Sequence, residues 1–405
     1  MIAPLDAGPD RNTVAIAAAS LSLGVGNFAD VATAYGEWFA EGFLDCLSTR
    51  AAIYLGRDEV PVLVRDDRRF LSIGELAQGA NAEALLVALG SEPVVINGIP
   101  VLPVLTFGDP DALRLDEAPS LQLGNAHYRR LMTEAVAAYK ALRDRRLALA
   151  FQSIRSADGD GLLYREVLAR IVPEDGGSEL IGPGAFVPAL EQLRLARLFD
   201  RAVVMDTLAA LRMAPSSRLG CNISAQSAAD DEYWTSIFAL LAAEPDIAGR
   251  LIVEITETAG FPDPDAAQWF VARLKRLGCE VAVDDFGVGC NSISLTAMLR
   301  PSIVKIDGSF LRVNAGQIFG GEFVQSLIRL SSCLAAHVVV EGVEDEICLQ
   351  LAMRAGARWL QGYYIDLPAI GLDRAGGGRL ENGEDVEAIA RFCKPQSGLN
   401  EEAVR

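Results

Sequence analysis

Histidine is nearly absent from this sequence: only His127 and His337 occur in 405 residues. That scarcity excludes a histidine-rich zinc site and leaves hard, oxygen-bound ions such as magnesium or manganese as the metals to expect. The seven cysteines are scattered, odd in number and without a Cys-x-x-Cys pair, which argues against a disulfide framework and for reduced thiols. No apolar run reaches the roughly 18–20 residues of a membrane crossing. The best one, from Val14 to Val25, is broken by serines and glycine. The start of the chain also lacks the basic segment of a signal peptide, so the expected location is cytoplasmic, with no membrane span. Basic residues are the minority too. Thirty-six Lys plus Arg against 54 Asp plus Glu leave a net charge of −18, which excludes a general affinity for DNA. A small phosphate-bearing ligand stays open, because a local metal cluster can overrule the global charge.

What the chain does have is apolar material, 51% of it, enough for two cores at this length. Residues 1–12 are polar and contain Pro and Gly, a flexible N-terminus. Residues 13–110 read as a small α/β unit. Its apolar segments are Val14-Ala19, Ala51-Leu55, Val60-Val64, Val94-Ile96 and Val101-Phe107, with amphipathic helices near Ala29-Leu47 and Ile73-Leu89. Residues 111–146 form a linker and a connecting helix, with Leu131, Ala135, Ala138, Tyr139 and Leu142 at helical spacing.

From residue 147 to 370 the pattern changes to apolar strands alternating with helical segments. Eight strands are expected: Leu147-Ile154, Leu162-Leu168, Arg218-Ile223, Leu251-Ile255, Glu280-Asp284, Ile303-Ile306, Val338-Glu341 and Trp359-Gln361. The count and length suit a (β/α)8 TIM-like barrel, whose functional groups sit at the C-terminal ends of the strands. Residues 371–405 form a glycine-rich tail.

The charges fall where that fold would use them. Val281-Ala282-Val283 runs straight into Asp284-Asp285, and comparable apolar runs end at Glu254, at Lys305 and Asp307, and at Glu341. Carboxylates gathered on one rim repel one another unless metal ions neutralise them. Two divalent ions could bind a phosphodiester, lower the pKa of a bridging water and stabilise the leaving oxygen. The residues themselves therefore point to metal-dependent phosphoester hydrolysis.

The motifs carry a more specific likeness. Glu166-Val167-Leu168-Ala169-Arg170 matches the Glu-x-Leu-x-Arg that names the EAL family of cyclic di-GMP phosphodiesterases. Cys221-Asn222-Ile223-Ser224, Glu254-Ile255-Thr256-Glu257, Asp284-Asp285-Phe286-Gly287-Val288-Gly289, Lys305-Ile306-Asp307, Glu341-Gly342-Val343-Glu344 and Gln361-Gly362-Tyr363 follow in the family's order. The resemblance implies an enzyme that opens cyclic di-GMP to pGpG with two Mg2+ or Mn2+ ions. It implies Glu166, Asn222, Glu254 and Asp284 as ligands of one metal, and Asp284, Asp285 and Glu341 as ligands of the other. Lys305 would position or help deprotonate the attacking water, and Glu257 would support the loop after Asp285. Gln152 and Arg170 would contact the nucleotide, with Asp307 and Gln361 completing the polar shell. A homodimer through this domain is implied as well.

Several positions depart from the family pattern. Gln-Pro-Ile becomes Gln152-Ser153-Ile154, a usual glycine becomes Arg194, and two usual aspartates are Ser302 and Arg358. These bring in a competing reading, a catalytically weak or inactive receptor or scaffold. The N-terminal unit resembles a degenerate GGDEF domain, with Gly56-Arg57-Asp58-Glu59-Val60 and Tyr35-Gly36-Glu37 in place of its motifs. In that alignment the metal aspartate is Gly24, and a lysine and an asparagine are Ala29 and Ala32. Such a domain is inactive as a cyclase, since nothing holds magnesium against a triphosphate. It is left with regulation, dimerisation or the docking of a protein partner.

Overall fold

A computed structural model describes residues 21–371 except 66–67, 75–80, 109–120, 122, 160, 178, 257–259, 289–292, 316 and 318. The expected flexible N-terminus, most of the linker, the tail and Glu257 lie outside the described residues. The chain divides into two compact units, Met1–Leu89 with Pro103–Gln122 and Gly90–Leu102 with Leu123–Arg405.

The first unit runs β1 (Leu21–Val25), α1 (Phe28–Tyr35), α2 (Glu37–Leu55), β2 (Val62–Arg65), β3 (Arg68–Gly74) and α3 (Ala82–Gly90). The hairpin β4 (Val94–Ile96) and β5 (Ile99–Val101) belongs to the second unit, and β6 (Leu105–Gly108) returns to the first. Its four-stranded antiparallel sheet has the order β2-β3-β1-β6. Two local expectations are corrected. Ile73 lies in β3 and the helix starts only at Ala82, because Arg68–Gly74 is paired as a strand with both β1 and β2. Ala51-Leu55 is the last turn of α2, closed by Gly56 at φ 63°.

In the second unit α4 (Asn125–Arg143) precedes β7 (Leu147–Ser156) and β8 (Leu162–Ile171). Then come α5 (Val187–Gln192), α6 (Ala196–Met213), β9 (Leu219–Ser224), α7 (Thr235–Ala243), α8 (Pro245–Ala248), β10 (Leu251–Thr256), α9 (Pro264–Arg276) and β11 (Glu280–Phe286). The chain continues through α10 (Ile293–Leu299), β12 (Ile303–Ile306), α11 (Ser309–Asn314), α12 (Gly320–Ser332), β13 (His337–Val340), α13 (Glu346–Arg354), β14 (Trp359–Leu360) and β15 (Ala369–Ile370). Strands β7 to β14 close into an eight-stranded TIM-like barrel, with β14 pairing back to β7 and β15 added beside β7. Seven of the strands are parallel and β7 is antiparallel to both of its barrel neighbours. The cause is the connection. Only residues 157–161 separate β7 from β8, too few for the dozen or so that a parallel crossover needs.

The helix that feeds the acidic strand shows how sequence sets these elements. Asp263 caps α9 by accepting from the N–H groups of Asp265 and Ala266 at 3.0 Å each, with Pro264 in the first turn. Phe270, Val271 and Leu274 bury its apolar face, and Arg273, Lys275 and Arg276 suit the negative end of the helix dipole. At the other end Cys279 N–H donates to Leu274 O and Gly278 N–H to Lys275 O, both 3.1 Å, across a left-handed Gly278 at φ 100°. A Cβ at Gly278 would meet nothing closer than 3.9 Å, so conformation and not space requires the glycine. Gly278→Ala is expected to lower unfolding free energy by about 1 kcal/mol, as measured by urea denaturation. An unchanged midpoint would show that the turn tolerates a side chain.

Candidate active site

Lys305 is where the geometry converges. It stands on β12 between Val304 and Ile306, wholly buried, with Nζ 3.1 Å from Glu166, 2.7 Å from Glu254, 3.1 Å from Asp284 and 2.8 Å from Glu341. Those four carboxylates come from β8, β10, β11 and the residue just after β13, so the barrel itself assembles them. Around this centre Asn222 Nδ2 donates to Glu166 Oε1 at 2.5 Å, and Gln361 Nε2 donates to Glu166 Oε2 and to Gln152 Oε1, the latter at 3.0 Å.

Asp284 and Asp285 reach the same place through an irregularity in β11. Successive strand residues normally point to opposite faces. Here Val283 pairs with Val304 but Phe286 pairs with Ile306, so β11 holds one residue more than β12 between those points. Asp285 sits at that bulge with φ 54°, a left-handed conformation that costs a non-glycine residue on the order of 1 kcal/mol. Such strain gathers at functional sites. The result is two groups of carboxylate oxygens, each within 4.8 Å: Glu166, Glu254 and Asp284, and Asp284, Asp285 and Glu341. Asp284 belongs to both groups and Asp285 to one.

One ammonium cannot balance this many acids. Burial pushes Glu254 up to about 8, and burial together with Asp284 and Asp307 pushes Asp285 to about 6. Burial and the neighbouring Asp284 also raise Glu341. Burial acts to raise Glu166 too, but the Lys305 charge and the hydrogen bonds from Gln361 and Asn222 outweigh it and hold that carboxyl low. Burial alone would lower Lys305; the surrounding carboxylates raise it instead, so it stays an ammonium.

The oxygen donors fit hard divalent cations. Glu254 Oε1 and Asn222 Oδ1 are buried without a hydrogen-bond partner, and Glu254 Oε2 touches Lys305 outside hydrogen-bond geometry. Acceptors left bare inside an acidic ring are what a hard divalent cation requires.

Beside the ring opens a cavity of about 250 Å³, lined by Gln152, Asp307, Arg312, Glu341, Glu344 and Tyr363 among others. Asp307 Oδ1 accepts from Ser309 N–H at 2.9 Å. Arg170 stands farther along β8, half-buried, and is not among the residues that line the cavity. Sequence reasoning passed over Arg312, whose Nη1 lies 3.4 Å from Glu344; only its place five residues after Asp307 hinted at it. It also passed over Asp366, which accepts Ser153 N–H at 3.2 Å on its carboxylate and the Gln152 amide at 2.9 Å on its backbone carbonyl. The Ser153 N–H bond is one a proline could not make. Ser302 and Arg358 lie at the N-terminal ends of β12 and β14, across the barrel from the carboxylates.

The loop after Asn222 is anchored from α6. Asp200 Oδ2 accepts Ser224 N–H at 2.8 Å and Ser227 Oγ–H at 2.6 Å.

The family described as EAL domain matches residues 135–368. The cyclic di-GMP phosphodiesterase PdeF of Escherichia coli (strain K12) is 31% identical over 233 residues, 56% of this chain and 31% of the relative. The chain thus spans about a third of that protein's length. The FimX EAL domain of Pseudomonas aeruginosa bound to c-di-GMP superposes with a TM-score of 0.52 and 27% identity, over 58% of this chain and 96% of that one. A Vibrio cholerae LapD chain containing S helix, GGDEF and EAL segments shares the fold over 85% of this chain and 89% of its own, at TM-score 0.53 and 18% identity.

Burial, partly offset by the two serine donors, pushes Asp200 up to about 7. The folded state then holds a proton there that the unfolded chain releases near pH 4. This group's contribution is full at low pH and is lost as pH rises through about 7. Asp200→Asn keeps an acceptor without the charge. Its stability relative to the unaltered chain should therefore improve between pH 5 and pH 8 in urea titrations. A gap that stays constant with pH would show that Asp200 does not titrate there.

Proposed function

The chain belongs to the EAL domain family, and from that membership we propose that it is a metal-dependent phosphodiesterase that hydrolyses cyclic di-GMP to pGpG. The observation that carries this reading is Lys305 held among four carboxylates, with Asp284 common to two acidic groups. The naming of PdeF as a cyclic di-GMP phosphodiesterase and the nucleotide bound to the FimX EAL domain support the choice of substrate.

Glu166, Asn222, Glu254 and Asp284 would hold one Mg2+ or Mn2+ ion, and Asp284, Asp285 and Glu341 the other. When bound, the ions lower the pKa of a water and offset charge on the phosphate. Lys305, kept protonated by its neighbours, holds the attacking oxygen in line with phosphorus by donating a hydrogen bond. Water adds to phosphorus, the ester bond to one ribose oxygen breaks, and that oxygen leaves with a proton. Glu341 and Asp285, at the rim of the ring, would take up the proton that the water loses and return one to the leaving oxygen. Gln361, fixed between Gln152 and Glu166, orients the polar shell with Asp307, while Gln152 and Arg170 contact the nucleotide.

We read residues 13–110 as a degenerate GGDEF-like domain without cyclase activity, and residues 147–370 as the catalytic domain. The LapD fold likeness extends well beyond the EAL match and supports this division. Gly24 on β1 offers no carboxylate where the motif would need one. Exposed Val313, Phe319 and Phe323 support a homodimer through the catalytic domain.

Purified chain incubated with cyclic di-GMP and Mg2+ or Mn2+ is expected to yield pGpG, and chelation to abolish it. Binding without turnover under either ion would replace this reading with that of a receptor. Glu166→Ala, Asp284→Ala and Lys305→Ala are each expected to slow turnover by about two orders of magnitude or more. Asp284→Asn should weaken both Mn2+ sites in a calorimetric titration, and Asp285→Asn only one. Equal losses would refute the shared role of Asp284.

A further inference from the structure

Below the polar ring the barrel interior is filled by a floor of side chains that includes Ile154, Tyr164, Ile252, Ala282, Ile303 and Val339. Gly220 stands at this level, paired with Glu166 on β8 and with Ile252 on β10. A Cβ at Gly220 would lie 2.1 Å from Glu254 Oε1 and 2.4 Å from Tyr164 Cε2, far inside van der Waals contact. The Glu254 carboxylate and the edge of the Tyr164 ring therefore occupy the volume that any other residue would claim. Gly220 is not among the glycines with positive φ, so its role is space and not backbone freedom.

Both occupants are fully enclosed. Tyr164 is among the largest fully buried side chains, enclosed by the floor residues. Glu254 is equally buried, and its other oxygen lies against Lys305 at 2.7 Å. Interiors packed to this density yield to an added methyl group only by displacement. Of the two, the carboxylate is the more movable, since the ring is bounded on all sides.

We propose that Gly220 and Tyr164 are positioning residues for Glu254: the missing Cβ opens a slot for Oε1, and the tyrosine ring walls it so that the carboxylate stays grouped with Glu166 and Asp284. The ring edge does this and the hydroxyl does not, because Cε2 and Cδ2 are the tyrosine atoms nearest the absent Cβ. The inference rests on reading Glu166, Glu254 and Asp284 as a metal site, and it adds to that site a support that none of the acidic motifs contains.

Mn2+ uptake by the full chain, followed by calorimetry and electron paramagnetic resonance without substrate, tests it. Gly220→Ala is expected to lower affinity about tenfold or more, the scale of losing a residue that orients a metal ligand, with the far-ultraviolet circular dichroism retained. Combining it with Tyr164→Val, which vacates the ring's volume, should recover part of that loss. Unchanged affinity in Gly220→Ala, or no recovery in the double variant, overturns the proposal. Should Gly220→Ala fail to fold, Tyr164→Val alone decides: a severalfold loss supports the wall, and unaltered affinity removes it. Tyr164→Phe should bind as the unaltered chain does, and a loss there overturns the assignment to the ring. An unaltered chain that takes up no Mn2+ sinks the metal reading and this inference together, whereas uptake indifferent to residue 220 sinks the inference alone.

Discussion

One buried ammonium among four carboxylates governs this barrel. Lys305 cannot be housed between strand aliphatics without acidic partners, and the acids cannot be gathered without positive charge. The arrangement is still short of charge, which is why burial raises Glu254, Asp284, Asp285 and Glu341 together. A lone ion pair would have been satisfied. An ensemble of five acids around one ammonium is instead a receptor for cations, and the amides of Asn222 and Gln361 hold Glu166 ready within it.

The strained bulge at Asp285 and the crowded Gly220 answer the same geometric problem in opposite ways. A regular strand sends alternate side chains to opposite faces, so two adjacent acids cannot both serve one site. The extra residue in β11 breaks the alternation at the point of need. At β9 the difficulty is excess of matter, and deleting a side chain solves it. Both devices trade local stability for the position of a carboxylate.

Much of this was legible in the sequence because strands closed by charges are conspicuous. Glu254, Asp284 and Lys305 end or interrupt apolar runs, and their convergence follows once eight strands are placed in a ring. The antiparallel course of β7 was implicit in the short 157–161 connection, yet apolar periodicity alone does not report strand direction. Ile73 fits a helix as well as a strand in the sequence, because three or four apolar residues suit either period. Gly220 carried no local signal at all. Its meaning lies in Tyr164 and Glu254, which the sequence separates from it by tens of residues and only the folded barrel brings together. Arg312 and Asp366 were hidden for the same reason, as polar residues beyond the strand ends whose partners, Glu344 and Ser153, belong to neighbouring strands or the segments after them.

The pairing of β7 with β14 also has a consequence in time. The first strand of the barrel closes on the last, and Gln152 reaches Gln361 across 209 positions of sequence. During synthesis every strand from β8 to β13 can find its predecessor as it emerges, whereas the seam must wait for residues 359–361. Loop closure over that span is entropically slow, and it comes last. A chain halted before the seam would hold most of the acids and the lysine but not the amide that fixes Glu166, so the pocket is finished by its final strand.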